Sequence, residues 1–302
     1  VSHIQGHPGG IHGPPRDRAP RGSCQLDARI LVNQRIARDT YLLRLDAAPI
    51  ARVIRPGQFV MVRPSSGLDP LLGRPFALYD VVLDASGAPM AIDIVYLILG
   101  RGTATLATQP PGAAVSVWGP LGNGFGAPPV GGSTIAFVAG GIGQTPFLAL
   151  AKSWLGRQSY GTGELGSGAL PREIVLYYGV RDADLLAGLD DFLDAGLELR
   201  LSTDDGSVGH HGFVTEALAA DLDGGYRPDL LLGCGPPPML AALARLARDR
   251  RIACELSLEN HMACGFGACF SCVARIRQGD GTTDLKRVCV EGPVFPAESV
   301  VW

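Results

Sequence analysis

At 302 residues the chain is long enough for two domains with cores of their own, and a formal net charge of −3 leaves no electrostatic footprint for nucleic acid. An apolar share of 46% is ordinary for a soluble globular protein, and no uncharged run reaches the length that crosses a bilayer. Seven cysteines, an odd number without a secretory signal, argue against a disulfide framework and for a reducing cytoplasm.

Residues 1–24 are rich in Gly, Pro and Arg and read as a disordered extension; His3, His7 and His12 could bind metal there, but a solvated arm fits better. Over 25–128 six β-type segments, at 26–35, 40–45, 58–63, 75–82, 91–99 and 114–118, are separated by Gly, Pro and Asp with no convincing helix between them. That pattern predicts a six-stranded antiparallel barrel. A Pro/Gly-rich link at 126–132 leads into a second domain, 129–257, where strands at 134–139, 173–178, 198–203, 230–233 and 253–257 alternate with helices from 146, near 185–194, and at 214–222 and 238–250. Such alternation predicts a parallel α/β sheet, with 158–171 as a mobile polar loop. The remaining segment, 258–302, holds four of the cysteines.

Those four, Cys264, Cys269, Cys272 and Cys289, are spaced C-x4-C-x2-C-x16-C, which predicts a [2Fe–2S] site. Gly265 and Gly267 supply the unusual dihedrals that a loop wrapped around an inorganic core needs. Zinc is the alternative, yet Cys289 lacks the near partner that zinc sites usually have. Cys24, Cys234 and Cys254 stand outside the pattern, as small buried residues.

Two further constellations bear on cofactors. In the barrel, Arg74-Pro75-Phe76-Ala77 opens one strand, Val95-Tyr96-Leu97 lies on another, and Gly100-Arg101-Gly102-Thr103 follows. Together they could supply the apolar slot and the phosphate donors of a flavin, although each element alone is commonplace. In the α/β half, Gly140-Gly141-Ile142-Gly143-Gln144-Thr145-Pro146 is a glycine turn after the first strand, where a phosphate could sit; a packing turn without ligand is the other reading. A second element, Gly233-Cys234-Gly235-Pro236, ends a later strand, and Cys234 either shapes a nicotinamide pocket or is a buried thiol. The strand-end runs Gly179–Asp182 and Ser202–Gly206 are net acidic, which favours NAD over NADP.

In that order the parts resemble the ferredoxin-reductase-like flavoproteins. The runs Leu258–Cys269 and Lys286–Phe295 resemble, more narrowly, the electron-transfer subunit of the two-component, NAD-linked dihydroorotate dehydrogenases, and the likeness extends over 26–302. It implies FAD in the barrel, held by Arg74, Pro75, Phe76, Ala77, Val95, Tyr96, Leu97, Gly102 and Thr103, with Ala77 replacing a common Ser or Thr. NAD(H) would lie on Gly140, Gly141, Gly143, Thr145, Gly235 and Pro236, and the [2Fe–2S] cluster on the four cysteines. It also implies an oxidoreductase subunit of pyrimidine biosynthesis, in a heterotetramer with an FMN-containing catalytic subunit that oxidises dihydroorotate. No residue for dihydroorotate chemistry is expected here, and Glu259 and His261 read as solvated interface residues. The small subunit of an NAD(P)H:ferredoxin or sulfide-type oxidoreductase, or a non-catalytic iron–sulfur sensor, are the alternatives.

Overall fold

A computed structural model describes residues 22–64, 67, 69–129, 131–161 and 170–302. The expected extension at 1–21 and the middle of the expected mobile loop, 162–169, lie outside the described residues.

The first body is built from β1 (Cys24–Ala37), β2 (Thr40–Asp46), helix α1 (Ala48–Ala51), β3 (Phe59–Arg63), β4 (Arg74–Ala77), β5 (Asp80–Leu83), β6 (Pro89–Leu97), helix α2 (Arg101–Ala107) and β7 (Ala114–Leu121). Its strands form an antiparallel sheet in the order β4-β3-β7-β1-β2-β6-β5. β1 begins at Cys24, inside the expected extension, because Cys24 pairs with Gly119 and Ser23 Oγ donates to the Pro120 carbonyl at 2.7 Å.

The segment read as one strand over 75–82 is bent into two. β4 pairs with β3 and β5 with β6, so Leu78 and Tyr79 join the two ends of the sheet. The Leu78 N–H donates to Gln58 O at 3.0 Å and the Tyr79 N–H to Asp93 O at 2.9 Å. This corner carries the chain from one edge strand of the half-barrel sheet to the other. Alternating hydrophobicity shows extended backbone but not a change of partner, which is why one strand was expected. α2, unforeseen as a full turn of helix, is held at its start by Thr103 Oγ1, which accepts from the N–H groups of Leu99 (2.9 Å) and Gly100 (3.2 Å).

The second body contains β8 (Thr134–Gly140), α3 (Phe147–Trp154), β9 (Glu173–Val180), α4 (Leu189–Asp194), β10 (Glu198–Thr203), β11 (His210–His211), α5 (Val214–Asp223), β12 (Leu230–Cys234), α6 (Pro237–Arg250) and β13 (Ala253–Ser257). After it come the hairpin β14 (Val273–Arg277) and β15 (Thr283–Arg287), then β16 (Val294–Pro296). The sheet order is β11-β10-β9-β8-β12-β13-β16, parallel except that β16, from the cysteine-bearing segment, closes the edge antiparallel to β13. β8 reads as an unbroken apolar run because both its faces are covered. Ile135, Phe137 and Ala139 pack with α3 and α4, while Ala136 and Val138 pack with α5 and α6.

β3 is apolar throughout for a similar reason. Val60 and Val62 point into the barrel, while Phe59 and Met61 point outward against Cys272, Val288, Cys289 and Phe295 of the C-terminal segment. The barrel thus carries the cysteine segment on its outer face.

The two bodies are joined at the same corner. Tyr79 is buried in the core of the second body, its ring edge-on to Phe192 at 6.3 Å and its hydroxyl donating to Asp191 Oδ2 at 2.6 Å. Burial and the Asp191 carboxylate push the phenol far above its ordinary range, so it remains a donor. Next to it Asp80 accepts from Lys152 Nζ at 2.5 Å and from Tyr160 OH at 2.6 Å. Asp80→Asn should lower the unfolding free energy by about 2 kcal/mol, because Lys152 is left partly buried without its counter-charge. Urea unfolding should show a lower midpoint at unchanged slope, and Asp80→Asn with Lys152→Met should recover part of the loss.

Candidate functional site

The sequence-predicted flavin residues meet where β4, β6 and the start of α2 converge. A Cβ at Gly102 would lie 2.9 Å from the Arg74 guanidinium carbon, so glycine is required for that guanidinium to lie across the turn. Arg74 Nη1 donates to Leu72 O at 2.6 Å, and no carboxylate among the described residues pairs with it. An uncompensated arginine over a glycine turn suits a phosphate oxygen. Phe76 packs on Tyr96 at 5.7 Å between centroids. Tyr96 is itself buried in the barrel, stacked on Tyr41, with its hydroxyl donating to Asn33 Oδ1 at 3.0 Å, so only its backbone is available to a ligand. Val95 faces the second body, Ala77 and Leu97 are partly exposed beside it, and Pro75 pairs with Met61. The Thr103 hydroxyl is engaged in capping α2.

The two glycine elements of the second body lie side by side at the C-terminal ends of β8 and β12. From β8 the sheet runs one way through β9 and from β12 the other way through β13, so they flank the topological switch point, where open sheets bind ligands. Gly143 lies against the Cys234 carbonyl, and Gly140 would place a Cβ 2.6 Å from Met239 Sδ and 2.8 Å from Pro236 Cδ. Gly235 is confined by Met239 and Gly140. These three glycines serve the close approach of two turns, whereas Gly141, at φ +56°, has open space before it. Thr145 is buried at the entry to α3, and Pro146 is the residue before its first turn. Burial, helped by the charge of Glu259, pushes the Cys234 thiol up to about 12, so it is a protonated thiol.

The four predicted cysteines are brought together at the outer face of β3 and β7. Gly265 (φ +81°) and Gly267 (φ +89°) adopt the left-handed conformation expected of the loop, and a Cβ at Gly265 would lie 2.6 Å from Met61 Cγ. Trp118 Nε1 donates to Cys264 O at 2.9 Å, and the Trp118 indole covers Gly73, immediately before Arg74. The thiols act on one another electrostatically, Cys264 on Cys269 and Cys272 on Cys289 most strongly, and charge on one pair is felt by the other. Ser271 Oγ, 3.2 Å from Cys269 Sγ, pulls that thiol down to about 6, while Cys272 and Cys289 shift each other in opposite directions, Cys272 down and Cys289 up. The Gly267 backbone N–H reaches Cys289. Four thiols on one face, two of them held low, would suit the thiolate ligands of a [2Fe–2S] cluster. Cys272 and Cys289 are buried and Cys269 is exposed.

Comparison with known proteins agrees with this geometry. The iron–sulfur cluster binding domain of dihydroorotate dehydrogenase B matches residues 259–301, and the oxidoreductase NAD-binding domain matches 137–245. The electron-transfer subunit of NAD(+)-dependent dihydroorotate dehydrogenase B from Desulforamulus reducens is 36% identical over 277 residues, 92% of this chain and 98% of the relative. Its counterpart from Geobacillus thermodenitrificans is 39% identical over 274 residues, 90% of this chain and 96% of the relative. The chain belongs to the electron-transfer subunits of dihydroorotate dehydrogenase B. Among solved structures, an NADH-dependent reduced ferredoxin–NADP oxidoreductase superposes with a TM-score of 0.73 at 26% identity, covering 91% of this chain and 90% of that one. An Amycolatopsis cytochrome P450 reductase gives 0.60 at 26% identity, covering 76% and 67%. The fold is thus ferredoxin-reductase-like, with a C-terminal iron–sulfur segment.

Several residues that build the site carry no motif. Trp118 reads in sequence as the end of a strand, yet it ties the cysteine loop to the barrel. Asn123 Nδ2 donates to the carbonyls of Val290 (3.0 Å) and Glu291 (3.2 Å), fixing the loop that presents Cys289. Arg287 pairs with Glu291 and donates to Gly267 O at 3.3 Å, joining the two cysteine loops. Arg74→Ala should weaken FAD binding tenfold or more, on the order of 1.5–3 kcal/mol. Titration of apo-protein followed by flavin fluorescence measures it, and equal affinity would remove Arg74 from the site.

Proposed function

We propose that the chain carries electrons between NAD(H) and a catalytic partner subunit that oxidises dihydroorotate to orotate. One observation carries this reading: a continuous run of contacts leads from Gly102 and Arg74 through Gly73 and Trp118 to Cys264, so the flavin-type and cysteine sites share neighbouring residues. When bound, FAD would exchange an electron pair with nicotinamide and release electrons singly, and the [2Fe–2S] cluster would carry them one at a time. Arg74 and Gly102 would hold the flavin's phosphate, and Cys264, Cys269, Cys272 and Cys289 the irons. The turns at Gly141 and Gly235 would receive NAD, with Cys234 as an uncharged wall of the nicotinamide pocket. The barrel, the nucleotide domain and the iron–sulfur segment would divide near 128 and 257, although β16 returns to the nucleotide sheet. We further propose a cytoplasmic heterotetramer with an FMN-containing partner. Among the described residues no helix is long and apolar enough to cross a membrane.

The preference for NAD over NADP belongs to the same proposal. Asp182 is ion-paired with Arg38 of the barrel, so its charge is already met. Asp204 and Asp205 remain beside Arg181, joined by the Asp205 N–H to Arg181 O bond of 3.2 Å. A 2′-phosphate would face two carboxylates against one guanidinium. Steady-state dye reduction should give kcat/KM for NADH at least about tenfold above NADPH, and a better rate with NADPH would refute the assignment of these loops.

Cys289→Ser should diminish the iron content and abolish the cluster's electron paramagnetic resonance signal, because a hydroxyl is a poorer donor to iron than a thiolate. NADH oxidation by ferricyanide should survive, with FAD content and circular dichroism near the parent's. Coupled dihydroorotate oxidation in the reconstituted complex should collapse. Normal coupling by a cluster-free variant would show the site to be structural.

A further inference from the structure

Arg38 sits in the tight turn between β1 and β2, where Ala37 pairs with Thr40, and no motif marks it. Its side chain nevertheless serves the other domain. The guanidinium is ion-paired with Asp182 through Nη2 and donates to Asp184 Oδ2 at 3.3 Å through Nη1, while the Arg38 N–H donates to Asp184 O at 2.9 Å. Both carboxylates belong to the loop that follows β9. Asp182 Oδ1 is buried without a hydrogen-bond partner, so among the described residues that carboxylate depends on Arg38 for its counter-charge. This loop is tied in turn to the one after β10: the Ala183 N–H donates to Ser207 Oγ at 2.9 Å, and Ser207 Oγ donates to Asp205 Oδ1 at 2.6 Å. Gly140, Gly179 and Ser202 are neighbours across β8, β9 and β10, so both loops open at the edge of the sheet that carries the Gly141 turn.

We propose that Arg38 and its two carboxylates determine the nucleotide specificity of the chain, Asp182 and Asp184 keeping a barrel cation from meeting a 2′-phosphate. The inference rests on the proposed function, since it takes the adenosine ribose to lie at the loops after β9 and β10. With Arg38 committed, a 2′-phosphate there faces Asp204 and Asp205 and has only Arg181 to pair with. To engage Arg38 it would have to displace two carboxylates from the guanidinium and leave Asp182, partly buried, without a counter-charge. A ribose hydroxyl incurs no such loss. Rejection of the phosphorylated dinucleotide is thus set from the barrel, by the same contact that ties the β1–β2 turn to the nucleotide domain.

The test is calorimetric titration of NAD+ and NADP+ into the oxidised full chain, reconstituted with FAD and iron–sulfur cluster, which reads the ratio of the two dissociation constants without turnover. Asp182→Asn with Asp184→Asn frees Arg38 and should reduce the preference for NAD+ by about tenfold or more, through tighter NADP+ binding. Adding Arg38→Ala to that pair should remove most of the gain. A loop that is merely loosened weakens both dinucleotides alike, so the ratio separates specificity from a structural role. Arg38→Ala alone bares two carboxylates and should raise the preference for NAD+ about threefold, with FAD content at the parent's level. If the double variant keeps the parent's ratio, or the triple variant keeps that of the double, Arg38 has no part in specificity while the proposed function stands. If the parent binds neither dinucleotide, or binds NADP+ the more tightly, the nucleotide reading and this inference fall together. A double variant that loses its FAD is replaced by Asp184→Asn alone, at a side chain 76% exposed, which should still reduce the preference about threefold.

Discussion

The architecture turns on the two residues Tyr79 and Asp80. At Tyr79 the chain leaves one end of the barrel sheet and joins the other, and the side chain of the same residue enters the core of the nucleotide-binding body. Asp80 then gathers Lys152 and Tyr160 from that body onto the first residue of β5. The crossing between the two edge strands and the docking of the domains therefore share one corner, and the Tyr79 carbonyl there accepts from the Ala149 N–H of α3 at 3.2 Å. A loose contact between two domains would let the glycine turns at the end of β8 drift relative to Arg74. Here the shared core leaves little freedom for such movement, which is what a chain passing electrons between cofactor sites requires.

A second constraint comes from positions where no side chain fits. Gly73 under Trp118, Gly102 under Arg74, Gly265 against Met61 and Gly143 against Cys234 each mark a backbone pressed onto a neighbour. Glycine in these places lets segments distant in sequence come together: the β4 approach against β7, the cysteine loop against β3 and β7, and one strand-end turn against the other. The cost is conformational entropy, offset by the apolar burial of Phe59, Met61, Leu121 and Phe295 between barrel and iron–sulfur segment. Function and stability consequently draw on the same contacts in this part of the molecule.

The amino-acid sequence by itself determined the kinds of parts and their order. Unbroken apolar runs such as Thr134–Ala139 and Leu230–Gly233, punctuated by glycine turns and helices, specify a parallel sheet because both faces of each strand must be covered. The cysteine spacing with Gly265 and Gly267 specifies an iron loop because its ligands and permissive dihedrals are local in the chain. Tertiary structure alone decided what depends on contacts between remote residues. It bent 75–82 into two strands, since only the partners Gln58 and Asp93 show where the chain changes sides. It buried Tyr96 in the barrel, occupied Asp182 with Arg38, and gave three of the nucleotide-site glycines a packing role. It also set Trp118 between the flavin-type motif and Cys264, a hydrogen bond spanning 146 residues. Local periodicity records which face of an element is apolar, but not which distant backbone will come to lie against it.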